Sequence, residues 1–262
     1  MTTSVFVTIE VSVSYRRWTL NSDKSELNRY MKHETFFKIE PIGKCTAVAG
    51  MVIVAGNVYT VSTPHKGGQI AFYKNHKGKM IDGKAEHLNS ITYHDHLFYV
   101  ATRNKDYQIY AFSSDGKIKK EWKYPRSKIA TINHYSGDKF LISVNGGESI
   151  KYRMVRIRDQ IEDVGMEFRV NVPPDYPTGN DSFYDKKDKR LYVTKFKENL
   201  RENAIYVVDL CKMANGGKYK PEKAFFVADK SKYEIEGVSV YDGKMFACVN
   251  KADGDEISIL TR

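Results

Sequence analysis

Cysteine is scarce in this chain: Cys45, Cys211 and Cys248 are the only three in 262 residues, odd in number and far apart. That spacing argues against a disulfide framework, and no CxxC or Cys/His arrangement points to zinc, so three reduced thiols packed in or near strands are expected. Long apolar runs are lacking too. None approaches the roughly 18 residues a membrane helix needs, and the mean hydropathy is −0.52. The N-terminus, MTTSVFVTIEVSVSYRRW, has neither the charged start nor the continuous apolar stretch of a secretory signal. The expected location is therefore cytoplasmic, or secreted by way of a leader that this sequence does not carry. No glycine-rich phosphate loop follows a strand and opens a helix, and no GxSxG or Ser/His/Asp spacing stands out. Nothing in the motifs thus marks a nucleotide-binding site or a serine hydrolase.

Aromatic residues are plentiful, with 18 Tyr and 13 Phe, enough for extensive sheet packing. The formal net charge is +10, and the lysines are scattered through turns rather than gathered in blocks. A basic surface favours anionic partners: acidic glycans, anionic polymers, phospholipid surfaces or nucleic acid. Scattered lysines also keep strand edges from pairing with other chains, which explains them without any partner.

Glu86 to Trp122 is the clearest stretch. Ser90–Tyr93 alternates and ends in His94-Asp95-His96. Leu97–Ala101 is a denser apolar run, Gln108–Phe112 a third, and Lys117–Trp122 alternates again. Short β-branched and aromatic runs separated by Asn, Asp and Gly clusters are strand and hairpin signals. Related units precede and follow. Val61 to Val100 is 39 residues, and so is Gln69-Ile70 to Gln108-Ile109, a repeat in matched register. A blade of roughly 40 residues cannot cover both faces of its own sheet and needs neighbours.

Five units are legible, the last lacking an outer strand because the chain stops at Arg262. His33–Ile42 stands ahead of the first unit like an orphan outer strand. These features resemble the β-propeller architecture and predict an all-β fold: a five-bladed propeller over residues 33–262, closed by an N-terminal strand completing the last blade. A two-sheet sandwich is the other candidate, but it would not generate the repeat. Residues 1–32 form an extension, with a strand from the Val5, Val7, Ile9, Val11, Val13 stripe and a helical stretch around Ser25–Met31.

Two closer resemblances concern the C-terminal part. Glu234-Ile235-Glu236-Gly237-Val238-Ser239-Val240, followed by Val249-Asn250-Lys251 and Glu256-Ile257, resembles the ending of helveticin-type class III bacteriocins. That would imply an antagonistic protein acting at another cell's surface. The Glu236-Gly237 pair entering an inner strand is also similar to calcium-binding lactonase-like propellers and calcium-activated nucleotidases, which would imply a channel cation.

In a propeller, the loops entering each innermost strand and those joining strands two and three share one face. Aligning the units on Val54, Tyr93, Tyr184 and Tyr241 brings Gly50, Asn89, Asn180 and Gly237 to one level, with Glu236 beside them and His87 and Lys128 close by. Asn89, Asn180 and Glu236 are the candidate metal ligands, for calcium, which takes six to eight oxygens. The same groups would also serve to satisfy strand ends or channel waters. Arg103, Lys195 and Lys251 follow strand two in three units and would form a basic rim able to hold a carboxylate or phosphate. His94-Asp95-His96 occupies a hairpin position on the opposite face, and Asp253-Gly254-Asp255-Glu256 reads as a further hairpin rather than a calcium loop.

Three functions remain. The first is non-catalytic recognition of a glycan, anionic polymer or protein surface through the loop face. The second is calcium-dependent hydrolysis, lactonase-like, at the channel mouth. The third is a scaffold that docks through residues 1–32.

Overall fold

The computed structural model describes residues 28–45, 47–64, 66–102, 108–124, 129–144, 149–172, 178–197, 202–228, 233–251 and 254–261; of 28–30, 47, 82, 178–180, 197, 202 and 228 it describes the backbone alone. Every regular element among them is a strand, and the strands form five sheets. Two short strands come first, β1 (Asn28–Tyr30) and β2 (Lys32–Lys38), and both join sheets formed later in the chain. The helical stretch expected around Ser25–Met31 is thus a strand where it is described. The Val5–Val13 stripe lies outside the described residues.

Blade one is β3 (Ala47–Val54), β4 (Asn57–Thr63), β5 (Gly68–Lys74) and β6 (Lys77–Ala85). Blade two is β7 (Leu88–His94), β8 (Leu97–Thr102), β9 (Gln108–Ser113) and β10 (Ile118–Lys123). Blade three is β11 (Ile129–Ser136), β12 (Lys139–Val144), β13 (Ser149–Ile157) and β14 (Ile161–Asn171). Blade four is β15 (Thr178–Asp185), β16 (Arg190–Lys197), β17 (Glu202–Asp209) and, beyond an insertion carrying β18 (Lys218–Tyr219), β19 (Lys223–Ala228). Blade five is β20 (Tyr233–Tyr241), β21 (Lys244–Lys251) and β22 (Glu256–Thr261), with β2 as its outer strand. The chain is a five-bladed β-propeller.

The sequence pattern of each strand follows from its depth in the blade. Second and third strands are sandwiched between neighbouring blades on both faces, so β8 (LFYVAT) and β9 (QIYAFS) are buried almost end to end. Outer β10 (IKKEWK) faces water and buries only Trp122. The repeat-related Val61 and Val100 are both 0 % exposed and pack in one cluster with Phe72, Phe98 and Phe112 between blades one and two. Four further clusters fill the remaining blade interfaces, the last of them (Val48, Tyr73, Phe246, Ile257) joining blade five to blade one.

The ring closes where the sequence places its orphan strand. β2 runs antiparallel to β22, pairing His33 with Leu260, Thr35 with Ser258 and Lys38 with Glu256. Two departures come from short accessory strands. β1 adds itself parallel to β19, extending blade four outward. β18 does the same to β14, so the insertion after blade four reaches back to blade three.

Each inner strand presents an unpaired edge toward the axis, and its N–H groups need acceptors. The neighbours' side chains supply them. Ser90 Oγ accepts from Ile132 N at 3.1 Å and Thr92 Oγ1 from His134 N at 3.1 Å. Asn133 Oδ1 accepts from Tyr184 N at 2.9 Å. Small polar residues on the inner strands are therefore structural groups that stitch one blade to the next.

Candidate functional site

All five inner strands carry a register irregularity near their entry ends. It falls between Ala49 and Met51, Leu88 and Ser90, Ile129 and Thr131, Gly179 and Ser182, and Ile235 and Gly237. A bulge adds a residue to one strand and re-aims the side chains next to it. The three candidate metal ligands sit in these bulges: Asn89, Asn180 and Glu236. The register differs by one from the sequence alignment, because the closing pair of each hairpin is Val54–Asn57, His94–Leu97, Asp185–Arg190 and Tyr241–Lys244. Gly50, Ser90, Asp181 and Gly237 are therefore the residues that meet at one level.

They meet closely. A Cβ on Gly50 would lie 2.8 Å from Ser90 Cα, and one on Gly237 would lie 2.8 Å from Gly50 Cα and 3.0 Å from Asp181 Oδ2. Asp181, 2 % exposed, closes the axis at this level. Its Oδ1 accepts from Ser182 N at 2.7 Å, and its carboxyl also receives the Ser90 hydroxyl and the Met51 amide, so one side chain ties blade four to blades one and two. Its own backbone is held by Thr194, whose Oγ1 accepts from Asp181 N at 2.9 Å. Ser182 Oγ continues the network to Thr131 Oγ1 at 2.7 Å and to Asn133 Nδ2 at 2.8 Å. The axis is thus divided by a polar plug into an entry-side cup and a turn-side mouth.

Burial pushes the Asp181 pKa well above the ordinary carboxylate value, opposed in part by Ser90 and by the Ser182 and Met51 amides. The folded protein then holds a proton that the unfolded chain, near 3.9, has already released. Stability falls as pH rises from about 4 toward the folded pKa. Asp181→Asn leaves one of the two amides without an acceptor, costing about 1–3 kcal/mol, but removes that slope. Thermal melts should show the variant well below wild type at pH 5 and the gap narrower at pH 8; a gap widening with pH would mean that the ionised carboxylate is the stabilising form.

The other candidates are distributed as follows. Asn89 is 3 % exposed, and its Nδ2 is a buried donor with no hydrogen-bond acceptor among the described residues. Glu236 is half-buried, and Asn180 is placed by its backbone only. His87 is exposed just ahead of β7. Lys195 is 5 % exposed on β16, opposite Gly179, and burial lowers its pKa. Lys251 is no free rim cation: its Nζ lies 2.8 Å from Oε1 of Glu256, which is 2 % exposed and also accepts from Ser258 Oγ at 2.6 Å and Thr35 Oγ1 at 3.0 Å. Burial opposes ionisation there, but those three hydrogen bonds prevail and hold Glu256 below its ordinary range. Lys251 is thereby committed to the seam where β2 joins β22. Arg103 and Lys128 lie outside the described residues.

Asp181 passes unmarked in the sequence, and Asp255 reads there as part of a hairpin turn. A Gly-Asp pair looks like any hairpin. Yet Asp255 Oδ2 accepts from Val48 N at 2.9 Å, capping the entry of blade one from blade five, while its Oδ1 is buried with no donor among the described residues. Burial raises its pKa to about 7, against the pull of the Val48 and Lys251 amides. Burial likewise pushes the Cys248 thiol well up, against the pull of the Thr60 hydroxyl 3.6 Å from its sulfur. His94-Asp95-His96 resolves as expected: Asp95 and His96 take φ of 47° and 61°, the left-handed pair of a tight hairpin turn. Among the described residues no three His, Cys, Asp or Glu side chains are grouped to hold a metal, and no helix is long and apolar enough to cross a membrane.

No protein-family model matches the chain, and no curated protein does. Solved structures do. Glutaminyl cyclase of Myxococcus xanthus matches with TM-score 0.54 at 12 % identity, over 90 % of this chain and 97 % of that one. A putative gluconolactonase matches with TM-score 0.52 at 10 % identity, over 88 % and 92 %. A GH43 β-xylosidase/α-arabinofuranosidase from a compost microbial metagenome matches with TM-score 0.52 at 10 % identity, over 87 % and 94 %. At such identities the likeness is one of fold, that of the propeller, and it extends over nearly the whole of each chain.

Proposed function

We propose that the protein is a recognition propeller that binds a polyhydroxylated chain, a glycan, in the entry-side cup above Asp181. The observation that carries this reading is Asn89 Nδ2, a buried donor in a strand bulge with no acceptor among the described residues. A buried donor left unpaired costs about 1–3 kcal/mol, and a ligand hydroxyl would meet it. Asp255 Oδ1 offers the complementary case, a buried acceptor without a donor. A hydroxyl can both accept and donate, so one ligand chemistry serves both. Polyanions fit less well, because Lys251 is already paired with Glu256 and Lys195 is 5 % exposed. The helveticin-like ending implies action at another cell's surface, where such a glycan would be met.

Isothermal titration against a panel of neutral and acidic oligosaccharides tests the reading. A binder is expected, with Asn89→Ala weakening it about tenfold, the loss of one buried hydrogen bond. Silence across the panel, at low salt as well, would overturn it.

A second reading has one specific support: Asp255, held near 7, and half-buried Glu236 give two carboxyls in different environments. Glycoside hydrolysis uses two carboxyls of different environment, one protonated and one ionised. The structural neighbours include a GH43 glycosidase and a putative gluconolactonase. In this reading Asn89, Asn180 and Glu236 would supply oxygens to calcium. Turnover of aryl glycosides or a lactone, with and without millimolar calcium, separates it from pure binding.

A further inference from the structure

The turn-side mouth of the axis, opposite the cup, holds a cluster that the reading above does not use. His94 ends β7 on blade two, His134 lies in β11 on blade three, and Lys186 opens the turn after β15 on blade four. The two imidazoles stack with centroids 3.8 Å apart and planes 21° apart. Phe140 flanks both, at 6.0 Å from His94 and 5.2 Å from His134. His134 Nε2 lies 2.8 Å from the Gly137 carbonyl oxygen, which can only accept, so Nε2 carries the proton. His134 Nδ1 is then the acceptor, and the Lys186 ammonium donates to it.

The arrangement brings one ammonium and two imidazoles together, with the Asp95 and Asp138 carboxylates near enough to act on His94. Among the described residues Lys186 has no ion pair, and the His94 ring has no hydrogen bond. Three charges act on His94: Lys186 disfavours its protonation, while Asp95 and Asp138 favour it. On His134 the charges are Lys186 and His94, both disfavouring. Asp138 is already engaged by Arg156 Nε at 3.3 Å and by Arg158 Nε at 2.5 Å, and Asp95 belongs to the hairpin turn. Burial opposes charge on the rings as well, so both imidazoles are kept neutral, His134 with its pKa lowered to about 4. Side chains from three consecutive blades thus meet here, the Lys186 ammonium without an ion pair among the described residues and Asp138 already committed to two arginines.

We propose that this turn-side mouth is a second binding site, for a phosphoryl dianion held between the Lys186 ammonium and the His94 ring, with His134 positioning both. Charge-assisted hydrogen bonds from an ammonium to phosphate oxygens are among the stronger polar contacts. The incoming negative charge favours the imidazolium form of His94, so the dianion binds with uptake of a proton and binding strengthens as pH falls from 8 to about 7, below which phosphate itself takes up its second proton.

The test follows the ring protons of His94 and His134 by NMR while inorganic phosphate, and separately phenyl phosphate, is added at constant ionic strength. Both resonances are expected to move saturably, about threefold more tightly at pH 7 than at pH 8, a range in which phosphate keeps a large dianion share. Lys186→Gln, in an exposed turn, should weaken binding about tenfold. Lys66→Gln removes the same charge on the opposite face and should leave binding unchanged. Binding of both compounds would assign the site to substituted phosphoryl groups, and binding of phosphate alone to the free ion. Rings that do not respond, or equal weakening by the two lysine variants, would overturn the proposal and reduce the effect to the general basic charge. Failure here leaves the glycan reading intact, since the two sites lie on opposite sides of the Asp181 plug.

Discussion

A chain beginning at Ile39 is expected to lose its cooperative thermal transition, whereas one beginning at Asn28 should keep it. The difference is β2, together with short β1 on β19 and the buried Met31. In the ring β2 pairs with β22 from Lys32 to Lys38, covers one face of Ile257 and Leu260 with Phe37 and His33, and delivers the Thr35 hydroxyl to the buried Glu256. Exposing two or three large apolar side chains costs about 1.5–3 kcal/mol each. Loss of the strand ladder and of a hydrogen bond to a buried carboxylate adds to this. The total approaches the 5–15 kcal/mol that holds an ordinary domain together. The uncovered edge of β22 is also a template for pairing with other chains. Circular dichroism melts with size-exclusion chromatography would check it: the longer chain should melt sharply as one species, the shorter should be unfolded or aggregated. A sharp, unshifted melt for the shorter chain would show that blade five stands on three strands.

The second large effect concerns Gly50, where two costs coincide. Its φ is +66°, a conformation that side chains other than glycine adopt at a cost of about 1 kcal/mol or more. Its missing Cβ would also lie 2.8 Å from Ser90 Cα and 2.9 Å from Ile91 N, both backbone atoms that cannot rotate away. Forcing inner strands apart at the Asp181 level adds about 1–3 kcal/mol of overpacking. Gly50→Ala should therefore cost about 3–5 kcal/mol, some 10 °C in Tm for a domain of this size. Two companion substitutions separate the terms. Gly243, φ +71° with nothing within 4 Å of a Cβ, should lose only the conformational part on replacement by alanine. Gly237 is not in the left-handed region and carries only the steric part, against Gly50 Cα at 2.8 Å. If Gly50→Ala matched Gly243→Ala, the strands would not be in contact at that level, and the plugged axis would be wrong.

Both predictions rest on features that the sequence discloses unequally. The blades were legible because a strand's pattern reflects its depth: LFYVA is sandwiched, IKKEWK is outermost, and the 39-residue spacing from Val61 to Val100 repeats that order. The orphan strand was legible for the same reason, as an alternating run with no blade of its own. Asn89, Asn180 and Glu236 were legible as residues at the entry ends of their strands, where they fall at the register irregularities. Side-chain direction was not. A bulge inserts one residue, and one residue in a strand exchanges its two faces, so the alignment that selected Asn180 passed over its neighbour Asp181.

Charge was the least legible property. Lys251 and Lys195 both lie near the end of strand two of their blades, yet one is tied to Glu256 and the other buried without an ion pair among the described residues. His94 looked like part of a turn, but it stacks on a histidine 40 residues away in the next blade. Hydrophobic periodicity and turn chemistry are local, acting over a few residues, and they determined blade number, strand order and the closing strand. The partners of Asp181, Asp255 and His134 come from other blades, across a ring whose closure brings together residues up to some 200 positions apart. Which polar groups are satisfied, and which stand open to a ligand, only that tertiary closure decided.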